Sequence, residues 1–248
     1  MYDVNVDKKT IQNHFQYDWW KYIVIIIATV IIWNGVTNYR INKAIPEDER
    51  MEIYLIGDFI YDDTTEEVSE RIIEDVDGLQ KLDIINIPML PLEEQKRQMQ
   101  GYDPESQGED LDNDEDEVQK PMSMDPRLDL AGQQKLMVII GSQSGDLFMF
   151  ENDRYQLYAK EGAFLALDEY AEDIETLVDD EHVDKIEALK VQSEEDSEPH
   201  LYGIPADSIE VFKDTGYDTE DKVLCIMAYS KKPEKAWNVV RWLLAADR

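Results

Sequence analysis

Residues 51–87 read MEIYLIGDFIYDDTTEEVSERIIEDVDGLQKLDIINI. Met51-Glu52-Ile53-Tyr54-Leu55-Ile56 has the branched and aromatic density of a β-strand, and Gly57-Asp58 ends it. Thr64 and Glu67 stand at capping-box spacing, which predicts a helix starting there. Val68, Ile72, Ile73 and Val76 form its apolar stripe, and Gly78 closes it. Leu82 to Ile87 is a second strand, stopped by Pro88. Strand, helix and strand in this order make a βαβ unit, whose crossover joins parallel strands. The expected fold class is therefore α/β, with one doubly wound lobe and a mostly parallel sheet.

Further along the chain, residues from about Pro91 to Pro126 break this rhythm. Tyr102 to Glu117 is dominated by Asp and Glu without an apolar period, the composition of a solvated, disordered insertion. Asp110, Asp112, Asp114 and Asp116 invite a calcium reading, but the turn glycine and distal glutamate of an EF-hand loop are missing. Leu128 to Ile140 reads as a helix facing the core through Leu136, Met137 and Ile140. Gly141-Ser142-Gln143-Ser144-Gly145 ends it; with Gln143 in the middle this string is no nucleophile elbow. Leu147 to Phe150 is a continuously apolar strand, buried on both faces. Glu151-Asn152-Asp153 opens a helix that runs through Tyr155 and Tyr158 to Gly162. Lys222 to Tyr229 reads as a last strand. A final helix starts at Pro233, its core face formed by Ala236, Trp237, Val240, Leu243 and Leu244.

Toward the N-terminus, no residue from Tyr22 to Val36 carries a charge. A helix from Trp19 to Tyr39 rises about 30 Å, the thickness of the hydrocarbon core of a bilayer. Ile25 and Ile26 lie in its apolar middle, and Trp19, Trp20 and Trp33 lie toward its ends, where interfacial aromatics belong. These residues predict a membrane anchor over 18–40, a short tail over 1–17, a linker over 41–49 and the α/β domain over 50–248. Neither a small-x-small cleavage site nor a lipid-accepting cysteine follows the segment, so the anchor is expected to be retained. Lys8, Lys9 and Lys21 before the span balance Arg40, Lys43 and Arg50 after it, so charge leaves the orientation open.

The net charge of −32 argues against nucleic acid, whose phosphates need clustered Lys and Arg. It also keeps the domain from lying flat on an anionic bilayer. The lone Cys225 sits in an apolar run and reads as a small core residue. His14, His182 and His200 show no Cys, Ser or carboxylate partner at a catalytic spacing, and no phosphate-cradling glycine loop is present. Neither an enzyme nor a cofactor is expected. A ligand, if bound, belongs beyond the carboxyl ends of the parallel strands. That places Asp58 and Phe59 after the first strand, and Asn152, Asp153 and Tyr155 after the third, as candidate contacts. Asn152 and Asp153 also suit helix capping. Phe59, Tyr61 and Tyr155 suit either a platform for a sugar or packing under loops.

Gly145 to Phe150, continued by Gly162-Ala163-Phe164-Leu165-Ala166-Leu167-Asp168-Glu169-Tyr170, resembles the bacterial extracellular solute-binding proteins that serve ABC importers. Leu201-Tyr202-Gly203-Ile204-Pro205 and Tyr229-Ser230-Lys231-Lys232-Pro233-Glu234-Lys235-Ala236-Trp237 resemble that family's next strand and its returning strand and helix. A whole second lobe lies between those two segments in the family, whereas here only residues 206–221 fill the interval. The resemblance implies one lobe with part of a hinge. It also implies a cytoplasmic N-terminus, an extracytoplasmic C-terminal domain, and as partners a small solute such as a sugar, or a transporter or other membrane protein. Three readings stay open: a tethered, non-catalytic binding domain, a structural or assembly subunit of a membrane complex without a small ligand, and, because the charge count ties, an acidic regulator on the cytoplasmic side.

Overall fold

The computed structural model describes residues 8–57, 60, 62–101, 125–179, 181–194 and 196–246. The chain divides into two units, Met1–Glu47 and Asp48–Arg248. The first is built on helix α1, Lys8–Ala44, in which Trp19–Thr37 is long and apolar enough to cross a membrane. Trp19, Trp20, Ile25, Ile26 and Trp33 are all exposed on it. The Thr29 hydroxyl donates to the Ile25 carbonyl at 2.7 Å, which satisfies it within the helix.

The second unit opens with β1, Arg50–Gly57, followed by α2, Asp62–Asp75, and β2, Lys81–Pro88. β1 and β2 pair in parallel from Arg50–Lys81 to Gly57–Pro88, as the βαβ pattern requires. Helix α2 begins at Asp62, a turn or so earlier than expected, so Thr64 and Glu67 lie inside it rather than at a capping box. Then come α3, Leu92–Gly101, and α4, Pro126–Gly141. β3, Leu147–Glu151, joins β1 in parallel. Because β2 lies on one side of β1 and β3 on the other, right-handed crossovers put α2 and α4 on opposite faces of the sheet.

α5, Asn152–Lys160, α6, Ala171–Leu177, and α7, Val183–Ala188, follow with a small ribbon of β4, Lys190–Val191, and β5, His200–Leu201. β6, Ile204–Pro205, and β7, Lys222–Ile226, complete the five-stranded sheet in the order β2-β1-β3-β7-β6. β7 runs antiparallel to both its neighbours, so the sheet is mostly parallel with one reversed strand. The strand ends at Ile226 rather than reaching Tyr229. The last helix, α8, Pro233–Ala245, buries Ala236, Trp237, Val240, Leu243 and Leu244 as its apolar stripe predicts.

Ile53, Leu55, Ile56 and Leu147 to Phe150 are inaccessible to solvent and form the middle of the core. Two further elements depart from the sequence reading. Leu92–Gly101 is helical although its sequence shows no apolar period. The reason is that its buried anchor is polar: Gln95 donates to the Leu90 carbonyl at 3.0 Å and to Asp129 Oδ1 at 2.9 Å. Helix α4 is rotated from its expected setting, burying Asp129, Gly132, Leu136 and Ile139 and leaving Met137 73% exposed, with Ile140 half-buried. Gly132 sets this rotation, since a Cβ there would stand 2.2 Å from the Pro88 carbonyl oxygen. At the amino end of the sheet, Asp146 accepts from the Ser230 hydroxyl at 2.7 Å, from Lys232 Nζ at 3.0 Å and from the Glu52 amide at 3.3 Å.

Candidate functional site

The carboxyl ends of β1, β2 and β3 lie along one edge of the sheet. Register places the start of β7 there too, because Glu151 pairs with Lys222. β6 ends at the same edge through the Pro205–Val223 pair. A short helical turn, Ala206–Ser208, carries Asp207 outward from β6, and α7 brings Lys185 opposite it.

Two hollows occupy this edge. One, of about 180 Å³, is lined by Asn152, Pro205, Lys222 and Val223 together with Lys185, Asp207 and Asp221. The other, of about 500 Å³, is lined by His182 and by residues from Gly216 to Glu220, again with Lys185 and Asp207. Lys185 and Asp207 belong to both.

Asp207 is the centre of the polar network. Its side chain is only 6% exposed, and its Oδ1 accepts from Lys185 Nζ at 2.8 Å and from the Asp221 amide at 3.2 Å. Its Oδ2 is buried without a hydrogen bond among the described residues. Leaving such an acceptor without a donor costs about 1–3 kcal/mol, more for a charged group. Burial pushes the Asp207 carboxyl up, but the hydrogen bonds from Lys185 and the Asp221 amide outweigh it, so the net direction is down from 3.8. The hydrogen bond to Asp207 and a second to Asp221 hold the Lys185 ammonium above 10.5 against the opposing effect of burial. Asp221 itself sits at φ +53, in the left-handed region that aspartate tolerates better than most residues.

Lys222 lies across the same edge. Its Nζ donates to the Asp218 carbonyl at 2.5 Å and stands 4.0 Å from the centre of the Tyr217 ring. Its side chain passes within 3.5 Å of where a Cβ on Gly57 would be, and Gly57 turns there with φ +123. Tyr217 is held from below, its hydroxyl donating to the Ile56 carbonyl at 2.7 Å.

Of the residues expected at this edge, Asn152 is exposed and lines the smaller hollow. Asp153 is exposed on the first turn of α5 and lines neither hollow. The N-cap of α5 is Glu151, which makes no side-chain capping bond. Its carboxylate instead accepts from Arg154 Nε at 2.7 Å and from the Leu92 amide at 3.2 Å, tying α5 to α3. Tyr155 is fully buried; its hydroxyl donates to the Leu189 carbonyl and its ring stacks 5.7 Å from Phe164. Burial also pushes its phenol upward. It belongs to the core rather than to an open platform. Asp58, Phe59 and Tyr61 lie outside the described residues.

Lys185, Asp207, Tyr217 and Lys222 escaped sequence reasoning. They come from segments without a motif, and only the pairing of β6 with β7 unites three of them. His200 does have a carboxylate partner, Asp168 Oδ2 at 3.0 Å from its Nδ1, 32 residues away in sequence on a partly exposed surface.

No protein-family model matches the chain, and no curated protein does either. Among solved structures the chain is similar to the N-glycan transport solute-binding protein NgtS from Streptococcus pneumoniae. In its complex with Man5GlcNAc, the likeness covers 63% of this chain and 24% of that chain at 19% identity, with a TM-score of 0.34. In a second structure of NgtS it covers 68% and 30% at 19% identity, with a TM-score of 0.35. The chain thus spans less than a third of the length of the solved chains it is similar to.

Proposed function

We propose that this chain is a membrane-anchored, non-catalytic binding domain that takes a small solute at the carboxyl edge of its sheet. On this reading α1 holds it in the cell membrane with the N-terminus in the cytoplasm, and the α/β unit works on the extracytoplasmic side. One observation carries the reading. Two adjoining hollows open where an open α/β sheet binds ligands, and they share the ion-paired Lys185 and Asp207.

A second reading, a structural or assembly subunit, draws on a different observation. Leu130, Met137 and Val138 recur at helical spacing on α4 and are 55%, 73% and 69% exposed, an apolar stripe suited to a protein partner.

The deciding measurement is the melting temperature of the full chain in lipid nanodiscs against sugars, oligosaccharides including Man5GlcNAc, peptides and amines. A solute at a hundredfold its Kd stabilises by about 2.7 kcal/mol. The expected result is a shift with one chemical class that is lost in Asn152→Ala. No shift with any compound overturns solute binding and leaves the assembly reading.

A further inference from the structure

Helix α4 carries apolar side chains on the face turned away from the sheet. Leu130, Met137 and Val138 are largely exposed, and Ala131 and Gln134 are exposed beside them. Their spacing is symmetric. Ala131 and Leu130 lie three and four residues before Gln134, and Met137 and Val138 lie three and four residues after it. At 3.6 residues per turn all five share one face. A two-fold axis through Gln134 would lay a second copy of the helix antiparallel on the first. It would set Leu130 against Val138 and Ala131 against Met137, in each case a larger side chain against a smaller one. Gln134 would meet Gln134, whose amides can donate to and accept from each other on the axis. An isologous interface requires self-complementarity of this kind.

Charge points the same way. The chain carries 56 acidic residues against 24 basic ones, so two copies repel over most of their surface. The outer face of α4 carries no acid. Asp129 is buried, and Asp125 caps the amino end by accepting from the Arg127 amide at 2.9 Å. Arg127 is exposed in the first turn, the end of its own helix that disfavours a cation, while the last turn holds no basic residue. The same two-fold would bring Arg127 of one copy to Gly141 at the carboxyl end of the other, where the helix dipole favours a cation. A Cβ on Gly141 would meet nothing within 4 Å, which leaves space there for the guanidinium.

We propose that the outer face of α4 binds a second copy of this chain, as an antiparallel helix pair with its two-fold axis at Gln134. The inference names an occupant for the stripe on which the assembly reading draws, and it stands apart from solute binding at the carboxyl edge. One pair of 16-residue helices, about 24 Å long, is small against the roughly 1,200–2,000 Å² of a stable soluble interface. The pairing therefore rests on the reading of α1 as a membrane anchor, which confines the copies and raises their effective concentration.

The test is disulfide trapping of the full chain in phosphatidylcholine liposomes, at a low protein-to-lipid ratio and under mild oxidation. The native Cys225 is buried, so a single introduced cysteine reports alone. Gln134→Cys should give a covalent dimer in several-fold higher yield than Glu187→Cys, an exposed position on α7. Leu130→Cys and Val138→Cys copies, mixed and carrying tags of different size, should cross-link to each other more than either does to itself. Adding Met137→Asp to Gln134→Cys places a carboxylate in the contact and should lower the yield to the Glu187→Cys level. The melting temperature should stay unchanged, because Met137 is exposed. Equal yields from Gln134→Cys and Glu187→Cys would overturn the proposal and leave the stripe to a different protein. So would like-with-like cross-linking at Leu130 and at Val138, the mark of a parallel pair. A dimer untouched by Met137→Asp would overturn it too, as association through α1. Flotation of the same samples tests the anchor separately. Chain that does not float with the liposomes overturns both the anchor reading and the pairing, whereas chain that floats without the trapped dimer overturns the pairing alone.

Discussion

At the scale of single residues, two positions are under the tightest physical constraint. Gly132 is one: a methyl group there meets the Pro88 carbonyl oxygen at 2.2 Å and Met89 Cγ at 2.6 Å, and a backbone carbonyl in a sheet does not step aside. Gly132→Ala should lower stability by about 1–3 kcal/mol through overpacking, seen as a lower urea midpoint at unchanged m-value. Asp207 is the other. Its folded pKa lies below 3.8, so its contribution to stability is complete above that pH and is lost as pH falls through the lowered value. Lys185 lies above 10.5, so its share is complete below that pH and is lost as pH rises through the raised value. Solvent screens the pair on the lysine side. Asp207→Asn should therefore flatten the fall of the urea midpoint as pH drops below 3.8. An equally steep fall in the variant would show that the pair is not what couples stability to acid.

At the scale of elements, helix α4 shows how packing chooses among apolar residues. Leu136 to Ile140 is an unbroken apolar run, and any of several faces would satisfy its composition. Contact with the β2 end at Gly132 selects one face, which buries Asp129, Leu136 and Ile139 and turns Met137 and Val138 outward. Asp129 is tolerated inside because its carboxylate accepts from the Leu90 amide at 2.8 Å, Gln95 Nε2 at 2.9 Å and Gln133 Nε2 at 2.8 Å. The consequence is a sharp contrast between neighbours. Leu136→Ala should cost about 2–5 kcal/mol, while Met137→Gln next to it should stay within about 0.5 kcal/mol. Equal costs in thermal unfolding would contradict the observed rotation. The same Met137→Gln change also breaks up the exposed stripe that a membrane partner would use.

At the scale of the whole molecule, Trp19–Thr37 is long and apolar enough to cross a membrane. Its exposed tryptophans and isoleucines are too apolar to face water along a full helix. If it is a retained anchor, the protein expressed in bacteria keeps residues 1–40, stays in the membrane pellet after alkaline carbonate extraction, and is released by detergent. Recovery of a shortened, soluble protein beginning after Tyr39 would identify a cleaved signal sequence instead. Protease added to intact spheroplasts should digest the C-terminal unit if that unit faces outward, and leave it intact if it faces the cytoplasm.

The βαβ start, the buried third strand, the last helix and the apolar N-terminal segment were legible in the sequence because each writes its period or length directly into neighbouring residues. Met51 to Ile56, Leu147 to Phe150 and the Ala236 to Leu244 stripe needed no partner to be recognised. The direction of β7, the setting of α4 and the helix at Leu92–Gly101 were not legible in this way. They depend on which strand edge, glycine contact or buried amide each segment meets across the fold. The candidate site divides along the same line. Asn152 could be placed from the end of a strand, but Lys185, Asp207 and Lys222 stand 22 and 15 residues apart in sequence. Only the antiparallel closure of β6 on β7, with α7 laid against it, brings Lys185 onto Asp207 and sets Lys222 along the same edge.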